Sequence, residues 1–503
     1  NVKADIPLQK GIDSKKLNWL VDLNYEDVSI AKPFDGQLVS EADGSIAIEK
    51  TKAAISAKAK LNVIPAEIDA IEPLGGSDVE RKRLIALTLD DKTREAVVPG
   101  LSGMVEGPIK VEVDARERGK QSLQVDVTNA QLNIPWAGWS KGPGIGGNVK
   151  FTLQNDEGKS RLSDFKLTGD TFGITGSLVL ADGGLSEAGF PSVKLNRNDD
   201  VSVTVKRSGK GYAVDVKGKS LDARSVVKQF TSDSSTATKS TDGGSVGSVS
   251  LTVNVDSVTG FHDEKLGNVK LQYRGTGDRV DRLEVTALAA SGAKVELLSG
   301  IADGSRRMDM TSSDAGAVLR FLDLYEHMQG GSINLALRGG VDGPMTGQAD
   351  ARDFVLVNEP RLSSLVSTTP VGSDRSLNQA VRRDIDTSRV NFERCYSQIE
   401  KGTGYLRLSE GILRGPLVGA SFQGTLYDQK GNMDMTGTFM PAYGLNRIFG
   451  ELPIIGALLG NGRDRGLIGV TFKLEGDADS PAVQINPLSA IAPGIFRQIF
   501  EFR

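Results

Sequence analysis

Two histidines, one cysteine and two glycine-rich runs are the places where this sequence holds residue types that could do chemistry. His262 and His327 are the two histidines and Cys395 is the one cysteine of the 503 residues. Cys395 with His327 is a nominal nucleophile and base. Nothing in the sequence places them side by side, and a structural or exposed thiol accounts for Cys395 better. Two histidines far apart in sequence exclude a three-histidine zinc site, and zinc held by mixed ligands is not expected. Gly142, Gly144 and Gly147 fit G-x-G-x-x-G. A strand-like run, 148–153, follows them and Pro143 sits inside. Without a helix N-terminus such a loop has neither the donors nor the dipole that hold a phosphate. Residues 243–247, GGSVG, fit the nucleophile-elbow pattern but lie in a low-complexity stretch with no strand-to-helix turn. No catalytic residue, metal or cofactor is therefore expected, and the chain does not read as an enzyme.

Composition narrows the partners. Lys and Arg number 60 against 64 Asp and Glu, a net charge of -4, and the basic residues are scattered rather than blocked. That argues against nucleic acid. Aromatic residues, at 6%, are too few for a stacking platform. One cysteine forbids an intramolecular disulfide and fits a reducing compartment or an exported protein that does without disulfides. No window of about 18 apolar residues exists, so no transmembrane helix is expected. The sequence opens at Asn1 with neither an initiator Met nor a signal peptide. It reads as a piece of a longer or processed protein, with an N-terminal anchor missing.

What remains is periodicity. Apolar residues alternate with polar ones in run after run, the mark of half-buried strands. Leu123, Val125 and Val127 form one such run; Phe151 with Leu153, Phe165 with Leu167, and Phe172 with Ile174 form others. Val201, Val203 and Val205 continue the pattern, as do Leu251, Val253 and Val255. These fifteen residues are the candidates for one apolar face. Helical turns are expected at 90–97, with Asp90 or Asp91 as N-cap, and at 221–230. Further helices are expected at 315–328, closed by Gly330 and Gly331, and at 360–366. Strands so numerous, mostly joined by hairpins and with so few helices, predict a mainly β fold without βαβ alternation. A long curved antiparallel sheet with an apolar groove is expected over a pair of sandwiches. Helices are too few to cover the sheet, and sandwich signatures of Trp and Cys are missing. The run 231–248, rich in Ser, Thr and Gly, is expected as a flexible linker between 1–230 and 249–503.

The last sixty residues are unusually greasy. Residues 443–459 and 488–500 are apolar segments too short to span a bilayer, and they bracket a strand pair at 466–475 and 482–485. Ile448, Phe449, Leu452, Ile455, Leu458 and Leu459 make one amphipathic helical set. Ile491, Ile495, Phe496, Ile499 and Phe500 make another. Each set either plugs the end of the sheet or meets a membrane surface where the groove ends.

Three stretches resemble the AsmA-like family of bacterial envelope proteins. The first is KLNVIPAEIDAIEPLGG followed by RKRLIALTLDDKTREAV, at 60–76 and 81–97. The second, 315–366, has a helix, a Gly-Gly exit, a strand pair and a DF…P-x-L run. The third lies within 402–500: GILRGPLVGASFQGTLY, PAYGLNRIFGELPIIGALLG and INPLSAIAPGIFRQIF. The resemblance implies a taco-like β-groove, apolar inside, anchored in the inner membrane and bridging the periplasm of a Gram-negative cell. It also implies phospholipids as cargo, inner and outer membrane surfaces as partners, and a role in outer-membrane integrity. The alternative role is assembly of outer-membrane proteins, with outer-membrane or periplasmic proteins as partners.

Overall fold

A residue type that recurs at every second position stays on one side of a pleated strand. That rule builds most of this protein. The structure is a computed structural model, and it describes the chain except residues 1, 6–17, 31–37, 99–100, 102, 118, 157, 183, 232–246, 278, 368–385, 417, 442–469, 479 and 487–503. The fold is mainly β, 70% strand and 7% helical, in an open, curved antiparallel sheet with few short helices. Of the strands described, 27 belong to the main sheet, and Val105–Glu106, Gln131–Ile134 and Trp139–Lys141 form a small second one. The chain divides into two compact units, Asn1–Ser208 and Gly209–Arg503.

In the first unit the main sheet is an antiparallel meander. Directly paired residues share a face, so the register traces each face across the sheet. One row runs Ala59, Ala66, Leu87, Val111, Val125, Val149, Leu167, Ile174, Val193 and Val201, ten neighbours on ten strands, without a polar residue. The adjacent row on the other face reads Lys58, Glu67, Ala86, Glu112, Gln124, Lys150, Lys166, Thr175 and Ser192. The sheet is thus apolar on one side and polar on the other. Helix α1, Asp91–Val97, carries the capping box that its sequence predicts. Asp90 Oδ1 accepts from Thr93 N at 2.8 Å, and Thr93 Oγ1 accepts from Asp90 N at 3.0 Å. Arg94 folds beneath α1 and donates to the carbonyls of Gly107 and Val105 at 2.7 and 2.5 Å, tying the helix to the small sheet.

The second unit repeats the pattern. Val216, Val253, Leu271, Val285, Leu297, Met310, Leu335 and Ala349 form an apolar row over eight strands. Next to it run Ala287, Val295, Ser312, Ile333, Ala351, Cys395, Leu413, Ala420 and Phe439, with Ser312 the one polar member. The opposite face carries Asn254, Lys270, Thr286, Glu296, Thr311, Asn334, Asp350 and Tyr396.

Three local expectations need correction. One pairing is parallel: Gly211–Asp222 lies beside Ser248–Thr259. Parallel neighbours need a crossover, and helix α2, Arg224–Thr231, follows the first of the two strands. Helix α2 starts at Arg224 rather than 221 because Leu221 and Asp222 still pair with Val258 and Thr259. Helix α3 is Ala315–Phe321 and ends well before 328. Asp323, at φ 56°, turns the chain left-handed and stops the helix. Gly330 and Gly331 are not its exit: they lie inside the strand Met328–Gly340 at φ 62° and 78°, conformations that cost a side chain dearly. Helix α4, Pro360–Ser367, and the strand Ala482–Asn486 fall where expected; of the strand expected at 466–475, residues 466–469 lie outside the described residues and the rest belongs to Val470–Asp477.

Candidate functional site

The candidate site is the apolar face itself, because among the described residues no conventional chemical site assembles. In the first unit Val125, Leu167, Ile174 and Val201 are members of the ten-strand row. Leu123 pairs with Phe151 in the next row, and Leu153 pairs with Leu162. Phe165 lies against both Phe151 and Phe190, with ring centroids 6.4 and 6.0 Å away. Val203 and Val205 pair with Phe190 and Ala188 on the same side. In the second unit Val253 belongs to the eight-strand row, while Leu251 pairs with Tyr273 and Val255 with Val269.

Burial along this face is graded. Leu89, Ile109, Val127 and Phe172, near one set of strand ends, are each under a tenth exposed. The small second sheet packs there: Leu132 joins that cluster, and Val105 and Trp139 rest on it. Trp139 meets Phe172 edge to face at 5.1 Å. Leu123, Val125, Val149 and Phe151, farther along the same strands, stay half-exposed. Leu23, on the first full-length strand of the meander, is 46% exposed.

Lys141 holds this cap in place. It is 2% exposed, and its Nζ donates to the carbonyls of Ala130 and Val127 at 2.7 and 2.8 Å, with Thr128 and Gly142 at 3.2 Å. Burial lowers its pKa, and Asp126 partly opposes that. The G-x-G-x-x-G run that follows leads into the strand Gly147–Asp156, so no phosphate loop forms.

At the opposite ends of the strands Ile64–Pro73 and Lys82–Leu89 the groove-facing positions turn charged. Glu72 continues the Ile68 and Ala70 side of its strand, and Arg83 pairs with Ala70. The Arg83 Nε donates to Glu72, and Arg81 Nε donates to the other Glu72 oxygen at 3.0 Å. Burial alone would raise the Glu72 carboxyl, but Arg83 and Arg81 outweigh it and hold the pKa below the ordinary glutamate range. Its stabilising share is therefore present above the unfolded glutamate pKa and fades as pH falls through the lower folded value. The sequence reading missed these three residues. The available signal was a charge on the apolar parity of a strand, next to its end.

In the second unit helices cover one part of the apolar face, while Val216, Leu271, Val285, Leu297, Met310, Leu335 and Ala349 of the eight-strand row stay partly exposed. Helix α3 and the start of α4 enter one cluster with Met328, Phe354, Val390, Phe392, Val418, Phe439 and Phe472. Phe354 and Phe392 stack at 5.5 Å, and α4 also touches the strand Ala482–Asn486. Tyr325 donates from its hydroxyl to Glu359, which is 5% exposed and accepts from Arg361 N at 3.0 Å. Burial first, and then Glu359, push the Tyr325 pKa far up. Cys395 packs against this cluster, and burial with a smaller effect of Asp350 raises its thiol to about 11. A thiol so protonated is a poor nucleophile.

The two histidines share a neighbour, Glu326, rather than Cys395. His262 Nε2 lies 2.7 Å from Asp323 Oδ1 and its Nδ1 lies 3.4 Å from Glu326, while His327 Nε2 lies 3.5 Å from the same Glu326. Among the described residues no group of three His, Cys, Asp or Glu side chains is placed to hold a metal. A cleft of about 680 Å³ opens on the polar side of the first unit, along Asn24, Ser45, Ser56, Asp69 and Leu84. Its charges are already matched, Lys58 with Glu67 at 3.6 Å and Lys82 with Asp69. The terminal candidates Ile448, Phe449, Leu452, Ile455, Leu458, Leu459, Ile491, Ile495, Phe496, Ile499 and Phe500 lie outside the described residues. So does most of the 243–247 run. Among the described residues no helix is long and apolar enough to cross a membrane.

Compared with family models, with curated proteins and with solved structures, the chain matches none.

Proposed function

We propose that this chain is a lipid conduit of the AsmA-like kind. It carries phospholipid between the inner and outer membranes along its apolar face and works in the periplasm without catalysing a reaction. The observation that supports this reading most is the ten-strand apolar row from Ala59 to Val201, of which Leu87, Val125, Val149 and Ile174 stay partly exposed while the other six are buried. A face of that length is costly to leave in water and well suited to hydrocarbon. Moving a chain of about sixteen carbons from bilayer to water costs roughly 12 kcal/mol, at about 0.8 kcal/mol per methylene. An apolar groove cancels most of that cost, and passage needs no chemistry from the protein.

The test is transfer between two vesicle populations. The chain is added to donor vesicles carrying a fluorescent phospholipid and to unlabelled acceptors. The expected result is transfer that rises in proportion to protein and leaves a water-filled vesicle marker inside. Transfer no faster than spontaneous exchange rejects the conduit.

A further inference from the structure

We propose that one rim of the first unit is a membrane-docking edge, whose apolar loop tips insert into the surface of a zwitterionic phospholipid bilayer. The tips lie beyond the strand ends, off the apolar face, so the docking edge is independent of lipid passage along that face.

Topology gathers the tips. In an antiparallel meander alternate connections emerge at the same edge. From the strand Asn18–Val28 to the strand Gly147–Asp156 every neighbouring pair in the main sheet is antiparallel. Four successive connections, 29–38, 62–63, 90–108 and 127–146, therefore share one rim. Each holds large apolar side chains in water: Leu38 on the first, Val63 on the second, Val97 and Val98 on the third, Trp136 and Ile145 on the fourth. Val63 is 68% exposed and Trp136 70%. The connections of the opposite rim, 50–51, 74–81 and 115–119, expose no large apolar residue among the described residues.

Backbone hydrogen bonds set the tips in place. Val63 shares a two-residue turn with Asn62, which stands at φ 58°. Asn62 N donates to the Leu38 carbonyl at 2.7 Å, and Leu38 N donates to Asn62 Oδ1 at 3.1 Å, so the first two connections are tied together. Trp136 is the middle residue of the 3-10 helix Pro135–Ala137, closed by Gly138 at φ 61°. Asn133 N donates to the Met104 carbonyl at 2.8 Å and ties the third connection to the fourth.

Spacing and charge select the occupant. Neighbouring connections on this rim stand two strands apart, roughly 10 Å at about 4.8 Å per strand. A stable protein interface has a contiguous, fully buried apolar centre, whereas a fluid bilayer closes around each tip separately. Tryptophan favours the bilayer surface, because its ring is apolar and its N–H reaches water. The described residues of the four connections include four carboxylates, Asp90, Asp91, Glu95 and Glu106, against three cations, Lys92, Arg94 and Lys141. Arg94 and Lys141 are buried. No basic patch seeks anionic lipid, so the apolar area inserted drives binding, and salt has little to screen.

The test uses the full chain with Cys395→Ala and one new cysteine at a time, Val63→Cys at the apolar rim or Thr51→Cys at the opposite one. Each is labelled with nitrobenzoxadiazole and mixed with palmitoyl-oleoyl phosphatidylcholine vesicles. The label at position 63 is expected to shift to the blue and to lose more than half its emission to tail-brominated phosphatidylcholine, at low and at molar salt alike. The label at position 51 is expected to do neither. In the unlabelled chain Val63→Ser with Trp136→Ser is expected to lower partition into the vesicles about tenfold, with the far-UV circular dichroism unchanged. Equal responses at the two rims, or none at either, overturn the docking edge. Binding that needs phosphatidylglycerol and vanishes at molar salt overturns it too, because contact would then be electrostatic. A dimer that Val63→Ser with Trp136→Ser dissolves, with no response to vesicles, assigns the tips to self-association instead. A chain that docks by this rim yet transfers no lipid supports the edge and rejects the conduit alone.

Discussion

Val125→Asp and Ile174→Asp, made separately or together, are expected to abolish phospholipid transfer while the protein stays folded. Both residues sit in the middle of the ten-strand row, and both are partly rather than fully buried. A carboxylate at either position can still reach water in the empty groove, so the cost to folding is small. With an acyl chain laid over it the same carboxylate loses that water. Desolvating a charge without a partner costs about 3 kcal/mol or more, which slows passage at least roughly a hundredfold. The measurement is the vesicle transfer assay with far-UV circular dichroism and a melting curve as controls. Undiminished transfer with both charges in place would mean that hydrocarbon never touches this face, and that the face is packed by protein.

Lys141→Met is expected to cost the first unit about 3 kcal/mol of stability. Methionine fills a similar volume but donates nothing, so the carbonyl oxygens of Val127, Thr128, Ala130 and Gly142 lose the ammonium that serves them all. Buried acceptors left without donors carry the full desolvation penalty, which exceeds the net worth of the bonds themselves. Urea unfolding, followed through Trp139 in the Trp19→Phe, Trp136→Phe background, reads the change. A red shift of Trp139 at low urea is also expected, because the cap loosens before the meander does. A midpoint that matches the lysine form would show that the cap is held by Trp139, Leu132 and Phe172 alone.

Much of the fold is legible from side-chain alternation, because a one-sided sheet writes its face directly into every second residue. Val201, Val203 and Val205 announce their strand and its buried side, and Asp90 with Thr93 announces the start of α1. The parallel pair of Gly211–Asp222 with Ser248–Thr259 was not legible. Its strands alternate like the others, and alternation alone does not set the direction in which neighbours run. The end of α3 was misplaced because Gly330 and Gly331 look like a stop, whereas Asp323 provides it four residues past Leu319. Lys141 gives no signal of its role in the sequence. Only the tertiary structure brings four carbonyls around it, contributed by a loop more than ten residues away and by its own neighbour. Glu72, Arg81 and Arg83 were hidden differently: each looks like a surface charge until the register sets it on the apolar side. Charge at a strand end is common, and only its parity distinguishes a groove border from an ordinary solvated edge.

The central claim is that the apolar face holds lipid, and the most direct test is to weigh the protein with whatever it carries. The chain is purified from a lipid-containing host in a detergent-free buffer and examined by native mass spectrometry, with the released small molecules identified after extraction. The expected spectrum shows the chain with one or more phospholipids bound, and Val125→Asp with Ile174→Asp removes them. A wild-type spectrum with only the bare chain mass, and no phospholipid in the extract, contradicts the account.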